Sequence, residues 1–215
     1  MNAIEMLKTL VSFPTVSRDS NLPLIDFVDE WLGKHGVTAV RVPNDEGTKA
    51  NLYATIGPNV EGGIVLSGHT DVVPIDGQPW DTDPFELTQK QDKLYGRGTC
   101  DMKGFFATTM LALKDFNLKK LQKNITLVWT HDEEVGCLGA QSLVQQVRNG
   151  GICLPQQTLI GEPTSMNICR MHAGHTTIDI RIQGLPAHSS KPHLGCSAIL
   201  ILAELIQSIQ EYQFI

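Results

Sequence analysis

The sequence predicts an α/β fold, in which helices flank a mixed sheet, joined to the start of a smaller α+β domain. Short runs rich in apolar and β-branched residues alternate with segments whose apolar residues recur at helical spacing, as in βαβ units. After residue 176 the pattern changes, because Ile178, Ile180 and Ile182 alternate with polar residues as in a half-buried antiparallel strand. We therefore expect one domain over residues 1–172 and a second that begins at residue 173. With 41% hydrophobic residues, a chain of 215 residues can build a substantial core.

Helices are expected where apolar residues recur every three or four positions. Gly36 is placed to cap the C-terminus of the second helix, and Gly96 and Gly98 let the chain bend before the third. The predicted helices lie within residues 1–15, 21–35, 101–116, 136–147 and 197–210. Strands are expected over residues 38–42, 51–56, 63–67, 93–95, 125–129, 158–160 and 176–183, with an irregular excursion over 75–86.

Residues with metal-ligand or acid–base chemistry follow the predicted strands. Because sheets built from βαβ units place ligands beyond the carboxyl ends of their strands, we expect these side chains to meet in one crevice. They are His69 and Asp71 after residues 63–67, Asp101 at the start of a helix, the pair Glu133 and Glu134 after 125–129, and Glu162 after 158–160.

Imidazole nitrogens and carboxylate oxygens are zinc ligands, so this set predicts a hydrolytic metal centre. In an extended segment the side chains two residues apart point the same way, which lets Asp71 orient His69. Adjacent Glu133 and Glu134 cannot both face one metal in the same way, so we expect one ligand and one general base. In isolation, an acidic pair is more often part of a solvated surface.

Composition excludes several classes of protein. The net charge of −6 comes without a basic run, so we expect no nucleic-acid binding. No apolar run approaches the roughly 20 residues that span a bilayer as a helix, so we expect no membrane insertion. The five cysteines are odd in number and show no C-x-x-C spacing, which argues against a disulfide framework or a zinc ribbon and favours the cytoplasm.

Five motifs in this order resemble the zinc aminoacylase family. The resemblance covers nearly the whole chain and rests on S-G-H-T-D-V-V-P at 67–74, residues 80–85, L-Y-G-R-G-T-C-D-M-K-G at 94–104, D-E-E at 132–134 and G-E-P-T at 161–164. It implies a zinc-peptidase-like catalytic domain followed by a lid and dimerisation domain. It also implies two zinc ions in each active site, with cobalt as the alternative metal, and a cis peptide bond after Asp101.

The resemblance also implies a role for each matching residue. His69 and Glu162 would hold the first metal, Glu134 would hold the second, and Asp101 would bridge the two. Glu133 would be the general base, and Asp71 would orient His69. His188, within P-A-H-S-S, is similar to the lid histidine that reaches the active site of the partner subunit and stabilises the oxyanion, which implies a homodimer.

The activity implied is hydrolysis of a small N-acyl amino acid. Residues 101–107 and 160–165 are most similar to enzymes that deacetylate N-acetylornithine in arginine biosynthesis. A succinyl-diaminopimelate desuccinylase, another aminoacylase or a dipeptidase remain alternatives. Because family members continue further and supply a late histidine ligand, we expect a truncated chain with only its first metal site complete and reduced or no activity alone. The remaining alternative is a non-catalytic remnant that keeps one metal site.

Overall fold

The computed structural model describes residues 1–58, 60–150, 154–171, 173–174 and 176–212. The chain divides into two compact units, Met1–Ile168 and Cys169–Ile215. We call them unit 1 and unit 2. His172 and His175 lie outside the described residues.

Unit 1 is built on a five-stranded mixed sheet with the order β1-β2-β6-β3-β7. The pairs β1–β2 and β2–β6 are antiparallel, whereas β3 is parallel to both β6 and β7. The carboxyl ends of these three parallel strands therefore meet at one edge of the sheet, which we call the carboxyl edge. A separate hairpin is formed by β4 and β5. The strands are β1 (Val40–Pro43), β2 (Ala50–Ile56), β3 (Ile64–His69), β4 (Thr88–Lys90), β5 (Lys93–Tyr95), β6 (Ile125–Thr130) and β7 (Gln157–Ile160).

Helices cover both faces of this sheet. Alternate residues of β2 and β6 point to opposite faces, and the two sets belong to separate apolar clusters. The larger cluster packs against α1, α2 and α3, and the smaller one packs against Leu143 and Val147 of α4. Helices flanking a mixed sheet confirm the predicted fold class. The helices are α1 (Ala3–Val11), α2 (Leu22–Lys34), α3 (Lys103–Asp115), α4 (Leu138–Arg148) and, in unit 2, α5 (Ala198–Glu211).

The start of α3 packs directly on the end of β3. A Cβ atom at Gly68 would lie 2.6 Å from Phe106 Cε1 and 2.7 Å from Met102 Cε, so a larger residue here would displace these side chains. Phe106 in turn stacks on Trp129 of β6, with ring centroids 4.3 Å apart. Buried aromatic packing of this kind is rigid, and it fixes the loop before α3 beside the last residue of β3.

Two local predictions differ from the structure. The strand β4 was not predicted, because its sequence T-Q-K has no apolar alternation, and it forms only by pairing with β5. The strand predicted over residues 176–183 is wrong, since the structure describes these residues and places none of them in a strand. Ile178 and Ile180 are 75% and 53% exposed, so no packed face selects the extended pairing that the alternation predicted.

Unit 2 contains an isolated antiparallel bridge and a helix. The bridge joins Leu185 to Cys196, and each residue donates its N–H to the carbonyl of the other at 2.9 Å. The helix α5 begins after Ser197, whose hydroxyl accepts the N–H of Leu200, and this confirms the helix predicted over 197–210. Among the described residues, no helix combines the length and apolar character that crossing a membrane requires.

Candidate metal centre

The carboxyl edge of the sheet brings together six of the seven residues singled out from the sequence. His69 is the last residue of β3, and Asp71 lies two residues beyond it. Glu133 and Glu134 follow the end of β6, and Glu162 follows β7. Asp101 precedes α3, and its peptide bond to Met102 is cis, as the family resemblance implied. The centre is therefore assembled from three neighbouring strand ends and one helix entrance.

The His69 ring is the centre of the cluster. Its side chain is almost fully buried, and its Nε2 atom lies 2.9 Å from Asp101 Oδ1, 3.5 Å from Glu162 Oε1 and 3.9 Å from Glu133 Oε2. The main-chain N–H of His69 contacts the sulfur of Met102 at 3.2 Å. One imidazole nitrogen thus faces three carboxylates across distances that a shared cation would bridge.

The other ring nitrogen of His69 faces Asp71. Nδ1 lies 2.9 Å from the main-chain carbonyl of Asp71 and 3.6 Å from its carboxylate Oδ1. The carbonyl is therefore the closer acceptor, and an Nδ1–H that donates to it leaves Nε2 free to bind a metal. The main-chain carbonyl of Asp71 is thus the acceptor that faces Nδ1, and the role predicted for Asp71, orienting His69, stays a prediction.

Two groups of three side chains have ligand atoms within 4.8 Å of one another. One comprises His69, Glu133 and Glu162, and the other comprises His69, Asp101 and Glu134. The groups share His69, whereas the sequence-based assignment gave the shared position to Asp101 and kept Glu133 free as a base. That division of roles stays a prediction.

Electrostatics favour a cation between these groups. Burial would lower the pKa of His69, but the neighbouring carboxylates of Asp71, Glu162 and Asp101 outweigh it and raise the pKa to about 9. Burial, together with the charges of Asp101 and Glu133, raises the pKa of Glu162 to about 7. Burial and Asp101 likewise raise the pKa of Glu134. Carboxylates that repel one another around an imidazole form a donor set that fits a divalent metal.

The pKa of the Asp71 carboxylate is lowered, in contrast to the raised pKa values of Glu134 and Glu162. Burial would raise its pKa, but the His69 ring, the Ser17 hydroxyl and the Glu133 N–H outweigh burial and lower it. Asp71 therefore stays ionised beside the donor set. No sequence pattern distinguishes Ser17, because no spacing rule connects it to Asp71, which lies 54 positions away.

His188 belongs to unit 2. Its Nδ1 atom lies 2.8 Å from Ser190 Oγ and accepts the main-chain N–H of Ser190 at 3.2 Å. Its role in stabilising an oxyanion stays a prediction.

The profile of Peptidase family M20/M25/M40 matches residues 65–212, which is well over half of the chain. The chain belongs to the M20 peptidase family.

Two curated relatives of this M20 chain are acetylornithine deacetylases. The one from Pasteurella multocida (strain Pm70) is 40% identical over 208 residues, which cover 94% of this chain and 53% of the relative. The one from Pectobacterium carotovorum subsp. carotovorum (strain PC1) is 41% identical over 216 residues, which cover 96% of this chain and 54% of the relative. The M20 chain thus spans about half the length of these relatives.

Solved structures agree with this assignment. Human carnosine dipeptidase 1 matches with a TM-score of 0.65 and 25% identity over 74% of the M20 chain and 38% of the dipeptidase chain. A tripeptidase from Staphylococcus aureus subsp. aureus Mu50 matches with a TM-score of 0.68 over 96% of this chain and 55% of its own, at 18% identity, and shows the shared fold. M20 proteins are hydrolases that depend on a metal, typically zinc.

Proposed function

We propose that this chain carries the zinc centre of an amide hydrolase that removes the acetyl group from N-acetylornithine. The observation that supports this most is the convergence of the His69 ring with four carboxylates at the carboxyl edge. The substrate is inferred from the curated relatives at 40–41% identity, which are acetylornithine deacetylases. The resemblance described from the sequence motifs further implies a place in arginine biosynthesis and a homodimer, and the cysteine usage favours the cytoplasm.

The residues that would hold zinc are His69, Glu162, Asp101 and Glu134, with Asp101 bridging two ions. Bound zinc would supply Lewis acidity and lower the pKa of a coordinated water. Glu133 takes the proton of the attacking water and passes it to the leaving amine, because its carboxylate is half-exposed and lies beside the donor set. Asp71 keeps the Nδ1 proton of His69 in place. His188 from a second copy of the chain stabilises the oxyanion.

Dipeptide hydrolysis is the second candidate, since human carnosine dipeptidase 1 is a structural match at 25% identity. Both activities use the same metal chemistry and differ in the acyl group and amine that the site accepts.

A substrate panel tests this proposal. The zinc-loaded 215-residue chain is incubated with N-acetylornithine, N-succinyl-diaminopimelate and carnosine, and amine release is measured. We expect release from N-acetylornithine in preference to the other two, and a His188→Ala variant to release less while retaining zinc. Preferential cleavage of the dipeptide would favour the second candidate. Absence of turnover by a zinc-loaded chain would favour a non-catalytic protein that keeps its metal site.

A further inference from the structure

The carboxylate of Asp71 joins the two strand ends that carry most of the metal centre. Its Oδ1 atom accepts the main-chain N–H of Glu133 at 3.1 Å and lies 3.6 Å from the His69 ring. Its Oδ2 atom accepts the N–H of Glu134 at 3.3 Å. The orientation of this one carboxylate therefore sets the position of the Glu133–Glu134 main chain relative to His69.

The hydroxyl of Ser17 makes a shorter bond to this carboxylate than either main-chain donor does. Ser17 Oγ donates to Asp71 Oδ2 at 2.7 Å. Ser17 is 6% exposed and Asp71 is 3% exposed, so bulk water has little access to replace a lost donor. A bond from a hydroxyl to a buried carboxylate is charge-assisted and is among the stronger hydrogen bonds in proteins.

The main chain holds Ser17 firmly beside Asp71. The N–H of Ser17 donates to the carbonyl of Val72 at 3.1 Å, and the N–H of Val72 donates to the carbonyl of Thr15 at 2.9 Å. A parallel bridge between Val16 and Val72 results. Because these bonds use only main-chain atoms, removing the Ser17 hydroxyl leaves the segment in place and deletes a single donor.

A partly buried lysine closes this network into a ring. The ammonium of Lys49 donates to the carbonyl of Ser17 at 2.5 Å and to Asp132 Oδ1 at 2.6 Å. Asp132 has a left-handed backbone conformation, with φ of 57°, and immediately precedes Glu133. The connections thus run from Asp71 through Ser17, Lys49 and Asp132 back to the peptide that Asp71 itself binds. The turn at Asp132 is therefore held by Asp71, which binds the N–H of Glu133, and by Lys49, which binds the Asp132 carboxylate.

We propose that Ser17 is a positioning residue of this metal centre, one that fixes the Asp71 carboxylate and through it the Glu133–Glu134 main chain beside His69. This inference rests on the metal centre proposed above. Without the hydroxyl, the buried Oδ2 atom keeps only its longer bond to Glu134, and the carboxylate gains freedom to rotate about its terminal bond. The glutamate pair then loses the anchor that sets its position relative to His69.

The test compares Ser17→Ala with Ser17→Thr and Thr15→Val in the zinc-binding chain. Thr15 is a matched control, since it is buried in the same segment and its hydroxyl donates at 2.6 Å to the main-chain carbonyl of Thr70 and not to a carboxylate. Zinc affinity is measured by competition with a chromophoric chelator. The visible absorption of the cobalt-loaded chain reports ligand geometry, and thermal unfolding of the metal-free chain reports stability.

We expect Ser17→Ala to bind zinc about tenfold more weakly and to alter the cobalt spectrum. Losing a residue that holds a metal ligand in place typically weakens metal binding by about 10- to 100-fold, and tenfold is the lower end of that range. Ser17→Thr restores both the affinity and the spectrum because it keeps the hydroxyl. Thr15→Val lowers the unfolding temperature and leaves both metal readouts unchanged. Wild-type affinity and spectrum in Ser17→Ala would overturn the inference, as would an equal loss of affinity in Thr15→Val.

These readouts separate this inference from the proposed activity. A wild-type chain that binds zinc but does not hydrolyse N-acetylornithine would contradict the activity, while the Ser17 comparison would still decide the positioning role. A wild-type chain that binds no zinc would overturn the metal centre and the role of Ser17 together.

Discussion

We expect that replacing Glu133 by glutamine will remove most of the hydrolysis and leave zinc binding intact. Glutamine keeps the shape of the side chain but cannot accept the proton of the attacking water. General-base catalysis contributes about 10²- to 10⁴-fold, so we expect turnover of N-acetylornithine to fall by roughly that factor. Turnover is measured on zinc-saturated protein, and zinc affinity is measured separately by chelator competition.

This variant also decides between two roles that the geometry allows. The Glu133 carboxylate lies 3.9 Å from His69 Nε2 and forms a ligand triangle with His69 and Glu162, as a direct metal ligand would. If Glu133→Gln lost zinc as well as activity, Glu133 would be a ligand and not the base. Glu86→Gln is the matched control, because Glu86 is an exposed glutamate outside the centre. We expect it to change neither readout.

We expect that replacing Asp101 by asparagine will weaken zinc binding by at least about a hundredfold, because losing a direct ligand should cost more than losing a residue behind one. Asp101 offers the carboxylate closest to His69 Nε2, at 2.9 Å, and belongs to the ligand group with Glu134. Hydrolysis should fall with the metal. Chelator competition measures the affinity, and saturating zinc in the activity assay separates weak binding from lost chemistry.

The metal-free form of the same variant should be close to the wild-type chain in stability. Removing the charge of Asp101 relieves its repulsion of Glu134 and Glu162, but it also removes the ion pair with His69 Nε2 at 2.9 Å, so the two effects oppose each other. Asp115→Asn, at the exposed far end of α3, is the control and should leave zinc affinity unchanged. A drop in the unfolding temperature of metal-free Asp101→Asn, with zinc affinity retained, would assign Asp101 a structural role in place of ligation.

Local sequence patterns predicted the parts of the centre that depend on one strand end each. His69 and Asp71 could be placed beyond β3 because an apolar run precedes them, and Glu162 could be placed beyond β7 for the same reason. Parallel strands align their carboxyl ends, so proximity followed from the fold class. The strand order β1-β2-β6-β3-β7 could not be predicted, because it depends on which faces pack together in three dimensions.

Residues that act through long-range contacts could not be found from the sequence. Ser17 lies before α2, and Lys49 lies in the turn before β2. The Lys49 ammonium nevertheless binds both the Ser17 carbonyl and the Asp132 carboxylate. Neither position has a spacing or motif that distinguishes it from an ordinary polar residue. The strand predicted from the alternating pattern over 176–183 is wrong, because period-two alternation predicts a strand only where packing buries one face.

Zinc X-ray absorption spectroscopy on the wild-type chain shows whether the cluster at the carboxyl edge is a metal centre of imidazole and carboxylate ligands. We expect a first shell of nitrogen and oxygen atoms at about 2.0 to 2.2 Å, with an imidazole contribution that disappears in His69→Ala. Cys100 and Cys137 lie close in sequence to Asp101 and Glu134, so the alternative outcome is sulfur ligation at about 2.3 Å. Sulfur in the first shell, or an unchanged spectrum in His69→Ala, would show that the centre is not built from these ligands.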